Sequence, residues 1–275
     1  MSLLRTLRKY RTVFAICVAE RFAYRTDFFF GTLMRFLPIV TTIFLWSAIF
    51  KGSNQDRIAG LTMTGVFAYY LLTMVGRAFS SMPGLADGIA RDIRTGAVKK
   101  FLTQPVNLFG YLLCSRMAHK LAYYTAALAP FVIVFWVCRG YFDGWPSAPV
   151  LFCFLLSLPL AFFIGFMFET IVGLASFWLL EIGSFNFIII TLVYVTSGHM
   201  FPLDLAPEPF ATILKALPFQ YLAYFPAYLF LRGDELTGME LARAMAGELL
   251  TAGALTLAAV WIYQRGLRRY SAFGG

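Results

Sequence analysis

The sequence predicts an all-α integral membrane protein with six transmembrane helices, and three observations carry that reading. First, uncharged stretches recur at membrane-spanning length: Ile58 to Gly76, Leu121 to Cys138, Val150 to Phe168 and Ile182 to Met200. A helix needs about 20 mostly apolar residues to cross the hydrocarbon core. Second, the chain is 60% hydrophobic and 18% aromatic, with 30 Phe, against about 45–50% apolar in soluble domains. Third, the charges lie between the apolar stretches and are strongly biased in sign. In a soluble protein the net charge of +9 would suggest a nucleic-acid partner. Here cationic helix ends orient spans and meet anionic lipid, so membrane lipid is the expected partner and nucleic acid is not.

The elements follow in order. Residues 3–24 place Leu3, Leu7, Tyr10, Phe14, Cys17 and Phe22 near one helical face and Arg5, Arg8, Lys9 and Arg11 on the other, the pattern of an amphipathic helix lying in the interface. The start is not read as a secretory signal, because Glu20 and Arg21 interrupt its short apolar run. The first span is expected near 28–50. Its uncharged core, Phe36 to Phe50, is too short to cross the bilayer alone, so Arg35 must lie in its first turns and snorkel. The second span is expected near 58–79. A short helix then falls within 81–104, with Ser81 as N-cap, Pro83 just inside and Gly96 as the stop. On it Leu85, Ile89 and Ile93 share a face, while Asp87 and Arg91 stand at i, i+4. Apolar and charged faces on one short helix suggest docking against another protein.

Spans three and four are expected near 117–138 and 150–172, the fifth near 182–198. Glu169 and Glu181 flank the intervening turn. They read either as contacts to a cytoplasmic partner or a substrate path, or as interfacial caps or ion pairs with Arg35, Arg77 or Arg116. The stretch after the fifth span is rich in proline (Pro202, Pro207, Pro209, Pro218, Pro226) yet apolar, as in Phe219-Gln220-Tyr221-Leu222-Ala223-Tyr224-Phe225. Proline excludes long helices and apolarity argues against a solvated loop, so 198–230 is expected to be a shielded re-entrant external hairpin. Pro202 and Pro218 would set its bends, and Phe219, Tyr221 and Tyr224 would bury apolar area and close the outer end of a path. The last span is expected near 244–263, followed by a short basic tail. The chain is read as one transmembrane domain, 1–275.

Orientation follows from the positive-inside rule. With the N-terminus in the cytoplasm, the inner segments and helix ends carry 17 Lys and Arg, and the outer side carries six: Lys51, Arg57, Arg139, Lys215, Arg232 and Arg243. Both termini are therefore expected in the cytoplasm, with the chain in a plasma membrane, as in a bacterial inner membrane.

Several chemistries are missing from the sequence. No G-x-x-x-x-G-K-[ST] phosphate loop is present, nor an H-E-x-x-H, and the expected topology puts His119 and His199 near opposite membrane faces. Cys17, Cys114, Cys138 and Cys153 have neither metal-ligand nor disulfide spacing and read as packing residues. No catalytic, cofactor-binding or metal-binding residue is assigned. An integral-membrane enzyme, with His119 beside Lys120 as its best candidate, remains an alternative, as does a passive channel or ion-coupled carrier.

The layout resembles the permease subunit of an ABC-2-type transporter, in its daunorubicin-exporter-like and uncharacterised branches. The local matches are Ile93-Arg94-Thr95-Gly96-Ala97-Val98-Lys99-Lys100-Phe101-Leu102-Thr103-Gln104-Pro105, Ser197-Gly198-His199-Met200-Phe201-Pro202-Leu203 and Leu217-Pro218-Phe219. They occur in the family's order, and the resemblance covers essentially the full chain. It implies a separate ABC ATPase subunit, in two copies, that binds ATP and Mg, so that this chain binds no cofactor itself. It also implies a second permease, identical or related, and export of a hydrophobic or amphipathic compound. Within 81–104 the resemblance makes Leu85, Ile89, Arg91, Ile93 and Gly96 the elements that couple to the ATPase.

Overall fold

The computed structural model describes residues 3–22, 25–58, 60–142, 144–179 and 182–270, with side chains described except at 3–4, 25–33 and 35–37. In chain order the helices and strands are α1 (Leu3–Phe22), α2 (Arg25–Ser53), β1 (Arg57–Ile58), β2 (Leu61–Thr62), α3 (Met63–Ser80), α4 (Leu85–Arg94), α5 (Lys100–Thr103), α6 (Leu108–Val137), α7 (Ala148–Leu174), α8 (Gly183–Thr196), α9 (Phe210–Ala216), α10 (Tyr224–Arg232) and α11 (Gly238–Arg269). Among the described residues, three stretches are long and apolar enough to cross a membrane: Leu108–Tyr141, Ala148–Phe177 and Gly238–Arg269. Gly183–Thr196 is a shorter apolar helix.

Residue chemistry explains where the helices begin and end. Asn107 caps α6 by accepting a bond from the Phe109 N–H (2.8 Å). This starts the helix well before the uncharged stretch that revealed it. Thr237 and Glu240 form a reciprocal capping box at the start of α11, which satisfies two orphan donors. Thr62 caps α3 by accepting from Gly65 N (3.1 Å). Ile58 and Leu61, expected inside the second span, instead pair in a two-stranded turn that reverses at Gly60, φ +79°; a left-handed residue cannot continue an α-helix. Pro38, Pro130 and Pro159 lie inside α2, α6 and α7, as membrane helices tolerate when neighbours satisfy the freed carbonyls.

The chain forms two compact units. One comprises Met1–Leu45 and Val98–Gly140, in which α1 packs along α6. Tyr10 anchors this contact: its hydroxyl accepts from Asn107 N (3.3 Å) and its ring lies over Gly110. Lys9 Nζ donates to the Pro105 carbonyl. Cys17 is buried, whereas Leu7 and Phe22 are exposed. The packed stripe is narrower than the apolar stripe, which leaves large apolar side chains facing outward.

The other unit comprises Trp46–Ala97 and Tyr141–Gly275. Its centre is α7, against which α11, α4, α3 and α10 all pack. One core cluster joins Tyr69 and Leu72 of α3 to Phe154 and Leu158 of α7 and to Leu203, Tyr224 and Ala227. A second joins Val150 to Phe225, Leu229, Leu241 and Met245. On the outward faces of α7, α8 and α11, Phe152, Phe187, Leu250 and Leu257 stay largely exposed. Apolar surface of that extent is incompatible with water as the surrounding solvent.

Candidate functional site

Two regions singled out by the sequence lie in the α7-centred unit. The first is α4. Ser81, expected to cap it, instead ends α3, its N–H donating to the Arg77 carbonyl (3.0 Å). Pro83 precedes the helix rather than opening it, and Gly84 in the left-handed region (φ +69°) starts α4. At the other end Gly96, φ +79°, follows the last turn and its N–H returns to the Ile93 carbonyl (3.2 Å).

The apolar face of α4 is not open to a partner. Leu85, Ile89 and Ile93 are 1%, 3% and 5% exposed, because they turn onto α7 and the 3-10 turn Ala175–Phe177. Ala86 and Ala90 form a cluster with Val172 and Ile182. Direct docking of a partner through Ile89 and Ile93 is therefore replaced by docking within the chain; a helix so short needs that burial to be stable at all. Gly173 makes the approach possible, since a Cβ there would lie 2.8 Å from Ile89 Cβ and 3.0 Å from the Ala86 backbone. Asn186 Nδ2 donates to Asp87 Oδ1 (3.1 Å), tying α8 to α4, and the Tyr270 hydroxyl donates to the Ile93 carbonyl (3.4 Å) at the end of α11. What remains exposed is polar: Asp87, Arg91, Arg94 and Thr95. The 81–104 region divides between the two units after Ala97.

The second region runs from Gly198 to Glu235. It is a chain of short pieces: a 3-10 turn Leu203–Leu205 after buried Pro202, then α9, then a 3-10 turn Pro218–Leu222 opening on Pro218, then α10. Phe219 meets Phe168 edge to face at 5.1 Å. Phe168 stands near the far end of α7, about 30 Å from its start at 1.5 Å per residue. The other end of the segment is fastened to the start of α7, where Ser147 donates through its N–H and hydroxyl to the Asp234 carboxylate. The segment thus travels most of the length of α7 and returns. On α3, Gly76 allows the Leu222 and Ala223 backbone to approach, with a Cβ there 3.2 Å from the Leu222 carbonyl. The Tyr69 hydroxyl donates to the Gly198 carbonyl (2.6 Å) and that of Tyr70 to the Met200 carbonyl (2.8 Å).

Tyr224 is buried, and its hydroxyl belongs to a polar centre that the sequence reading did not single out. It donates to both Asp204 oxygens (2.9 and 3.0 Å), and Lys215 Nζ pairs with Asp204 at 2.7 Å. In the sequence Asp204 and Lys215 stand, with Glu208, as the charges of an otherwise apolar, proline-rich run, and nothing local pairs the first two. Tyr221 packs edge to face on Phe225 at 5.2 Å, with its hydroxyl beside Gly247 of α11. The next residue, Glu248, is 0% exposed and neither carboxylate oxygen has a hydrogen-bond partner. A buried carboxyl without a partner is costly.

Glu169 lies on the last turns of α7, ahead of the Ala175–Phe177 turn. Glu181 lies outside the described residues, as does the side chain of Arg35. Among the described residues no group of three His, Cys, Asp or Glu side chains could hold a metal.

Compared with known proteins, residues 36–274 match a family model described as ABC-2 family transporter protein. No curated protein sequence matches the chain.

Proposed function

The chain belongs to the ABC-2 transporter family, as a membrane permease component that works with an ABC ATPase, and we propose that it forms the translocation path of an ATP-driven exporter for hydrophobic or amphipathic compounds. In this reading ATP and Mg bind the partner ATPase, two copies of which serve a pair of permeases, identical or related. The six spans are α2, α3, α6, α7, α8 and α11. The pair sits in the plasma membrane with both termini in the cytoplasm, and α1 lies in the inner interface.

The observation that carries the reading is the mounting of α4. Its apolar face is fixed to α7 and the Ala175–Phe177 turn, and its ends are tied to α8 through Asp87 and to α11 through Tyr270. Each fully buried Leu or Ile contributes about 1.5–3 kcal/mol. Force applied to the exposed Arg91 and Arg94 is thus transmitted to three spans rather than dissipated. Coupling requires contacts that differ between nucleotide states, and charged side chains on a rigid mount provide them. Leu85, Ile89 and Ile93 act as the mount, Gly96 as the stop, and Arg91 as the contact.

The hairpin, Gly198 to Phe230, is the outer gate in this reading. Its descent along α7 supports a re-entrant element, with Pro218 and Phe219 at its tip and Tyr221, Tyr224 and Pro202 holding it against the spans. Glu169 and Glu181 belong to the inner mouth.

The test reverses charge on the exposed face. Arg91→Glu with Arg94→Glu should dissociate the ATPase or abolish substrate-stimulated ATP hydrolysis, while leaving insertion and thermal stability unchanged. Copurification and coupled turnover like the wild type would refute the assignment. Transport persisting without ATP would favour a channel or ion-coupled carrier, and turnover of a substrate without any ATPase would favour a membrane enzyme.

A further inference from the structure

The last turns of α11 carry Trp261, Ile262, Arg265, Arg268 and Arg269. Their spacing from Trp261, at i+1, i+4, i+7 and i+8, gathers them on one helical face. Across from them stand Ile171 of α7 and, on the turn that follows it, Ala175 and Trp178. Together these side chains line a cavity of about 810 Å³. We propose that this cavity binds an anionic phospholipid, its phosphate among the three guanidinium groups and its acyl chain along Ile171, Ala175, Trp261 and Ile262.

Four features of the cavity select that ligand. The walls are apolar and open outward, with Trp178 and Trp261 40% and 58% exposed, so the occupant presents hydrocarbon. The rim is cationic: among the described residues no carboxylate forms an ion pair with Arg265, Arg268 or Arg269, which leaves three positive charges for an anion from outside. The two chemistries are ordered along the helix. Trp261 to Arg269 spans about 12 Å at 1.5 Å per residue, the distance from upper hydrocarbon to phosphate, and Trp178, Trp261, Tyr263 and Tyr270 mark the aromatic belt of a membrane interface. Finally, the site is preorganised. The Arg265 guanidinium already lies over the Trp261 ring at 5.2 Å, which lowers the ordering cost of engaging a phosphate bidentately. Basic pockets between spans at a membrane face are suited to anionic headgroups. A zwitterionic lipid would bring its own cation into the same rim and lose the advantage.

The site does not rest on the transport reading, since it requires only that the arginine-bearing end of α11 reach the headgroup layer. The test uses the full chain in phosphatidylcholine nanodiscs with increasing fractions of brominated phosphatidylglycerol or brominated phosphatidylcholine. Quenching of tryptophan emission is recorded, and retained lipid is counted by native mass spectrometry. Phosphatidylglycerol should quench and be retained at a fraction on the order of 10- to 100-fold lower than phosphatidylcholine, from the contribution expected of three cations near a lipid surface. This comparison needs no variant. Replacing all three exposed arginines (R265Q, R268Q and R269Q) should abolish the preference, whereas the corresponding lysine variant should keep most of it. Equal quenching by the two lipids would overturn the proposal, and so would a preference that survives in the glutamine variant. Displacement of phosphatidylglycerol by inorganic phosphate alone would assign the rim to a free anion and overturn the lipid site.

Discussion

Gly173 and Glu248 show how single positions are tuned for opposite ends. A side chain at Gly173 would collide with Ile89 and the Ala86 backbone, and overpacking of this kind costs about 1–3 kcal/mol. Gly173→Val should therefore lower the temperature at which the detergent-solubilised protein loses its monodisperse size-exclusion peak, and should uncouple ATP hydrolysis by lifting α4. Gly88, on α4 itself, has nothing within 4 Å of where a Cβ would stand. Gly88→Ala should leave coupling intact and add up to about 1 kcal/mol through helix propensity; equal damage from both substitutions would deny the α4–α7 seam its role. Glu248 is the converse case. Glu248→Met removes two unpartnered buried oxygens at nearly constant volume, so thermal stability should rise. Under the proposed function the carboxyl serves transport, so transport should fall at the same time, as happens where a functional group is kept at the expense of stability. A fall in stability instead would mean that the carboxyl has a partner in the assembled transporter.

The hairpin and α4 differ in how far their roles could be read from sequence. Proline placement announced the turns of 198–235, and Pro202 and Pro218 do open them. Periodicity also placed Leu85, Ile89 and Ile93 on one face of α4, but an apolar face does not say which neighbour covers it. Here the chain's own α7 does, and Gly173, remote from α4 in sequence, is the residue that permits it. The Asp204–Lys215–Tyr224 centre was hidden for a similar reason: its members sit on a 3-10 turn, on α9 and on α10, so no local period links them. Its strength is measurable. Tyr224→Phe removes the hydroxyl donor and leaves Lys215 on Asp204. The expected loss is about 1.5–3 kcal/mol, the range for a hydrogen bond to a charged group, seen as faster amide hydrogen exchange across Gly198–Phe230 with exchange in α11 unchanged. Uniform acceleration across both would mean that the bond supports the whole unit and not the hairpin.

The membrane class was legible because it depends on composition and span length, which a sequence states directly. Exact span limits were not, because caps decide them: Asn107 begins α6 well before the apolar run, and the β1–β2 turn shortens the start of α3. Orientation rests on the distribution of Lys and Arg, 17 against six, and site-directed cysteine labelling tests it directly. With Cys17, Cys114, Cys138 and Cys153 replaced, single cysteines are best placed where the backbone accepts a side chain. Gly96 at φ +79° and Asn54 at φ +52° are poor choices, because most non-glycine residues are strained in the left-handed region. Gln55, Trp145 and Arg94 are exposed and have no such constraint. Gln55→Cys and Trp145→Cys should react with an impermeant maleimide in intact cells, and Arg94→Cys only after lysis. The three positions lie in the same compact unit, so a mixed pattern cannot arise from movement between units. Labelling of Arg94→Cys from outside, with Trp145→Cys protected, would invert the orientation. The exposed face of α4 would then be out of reach of any cytoplasmic ATPase, and the coupling assignment would fall with the topology.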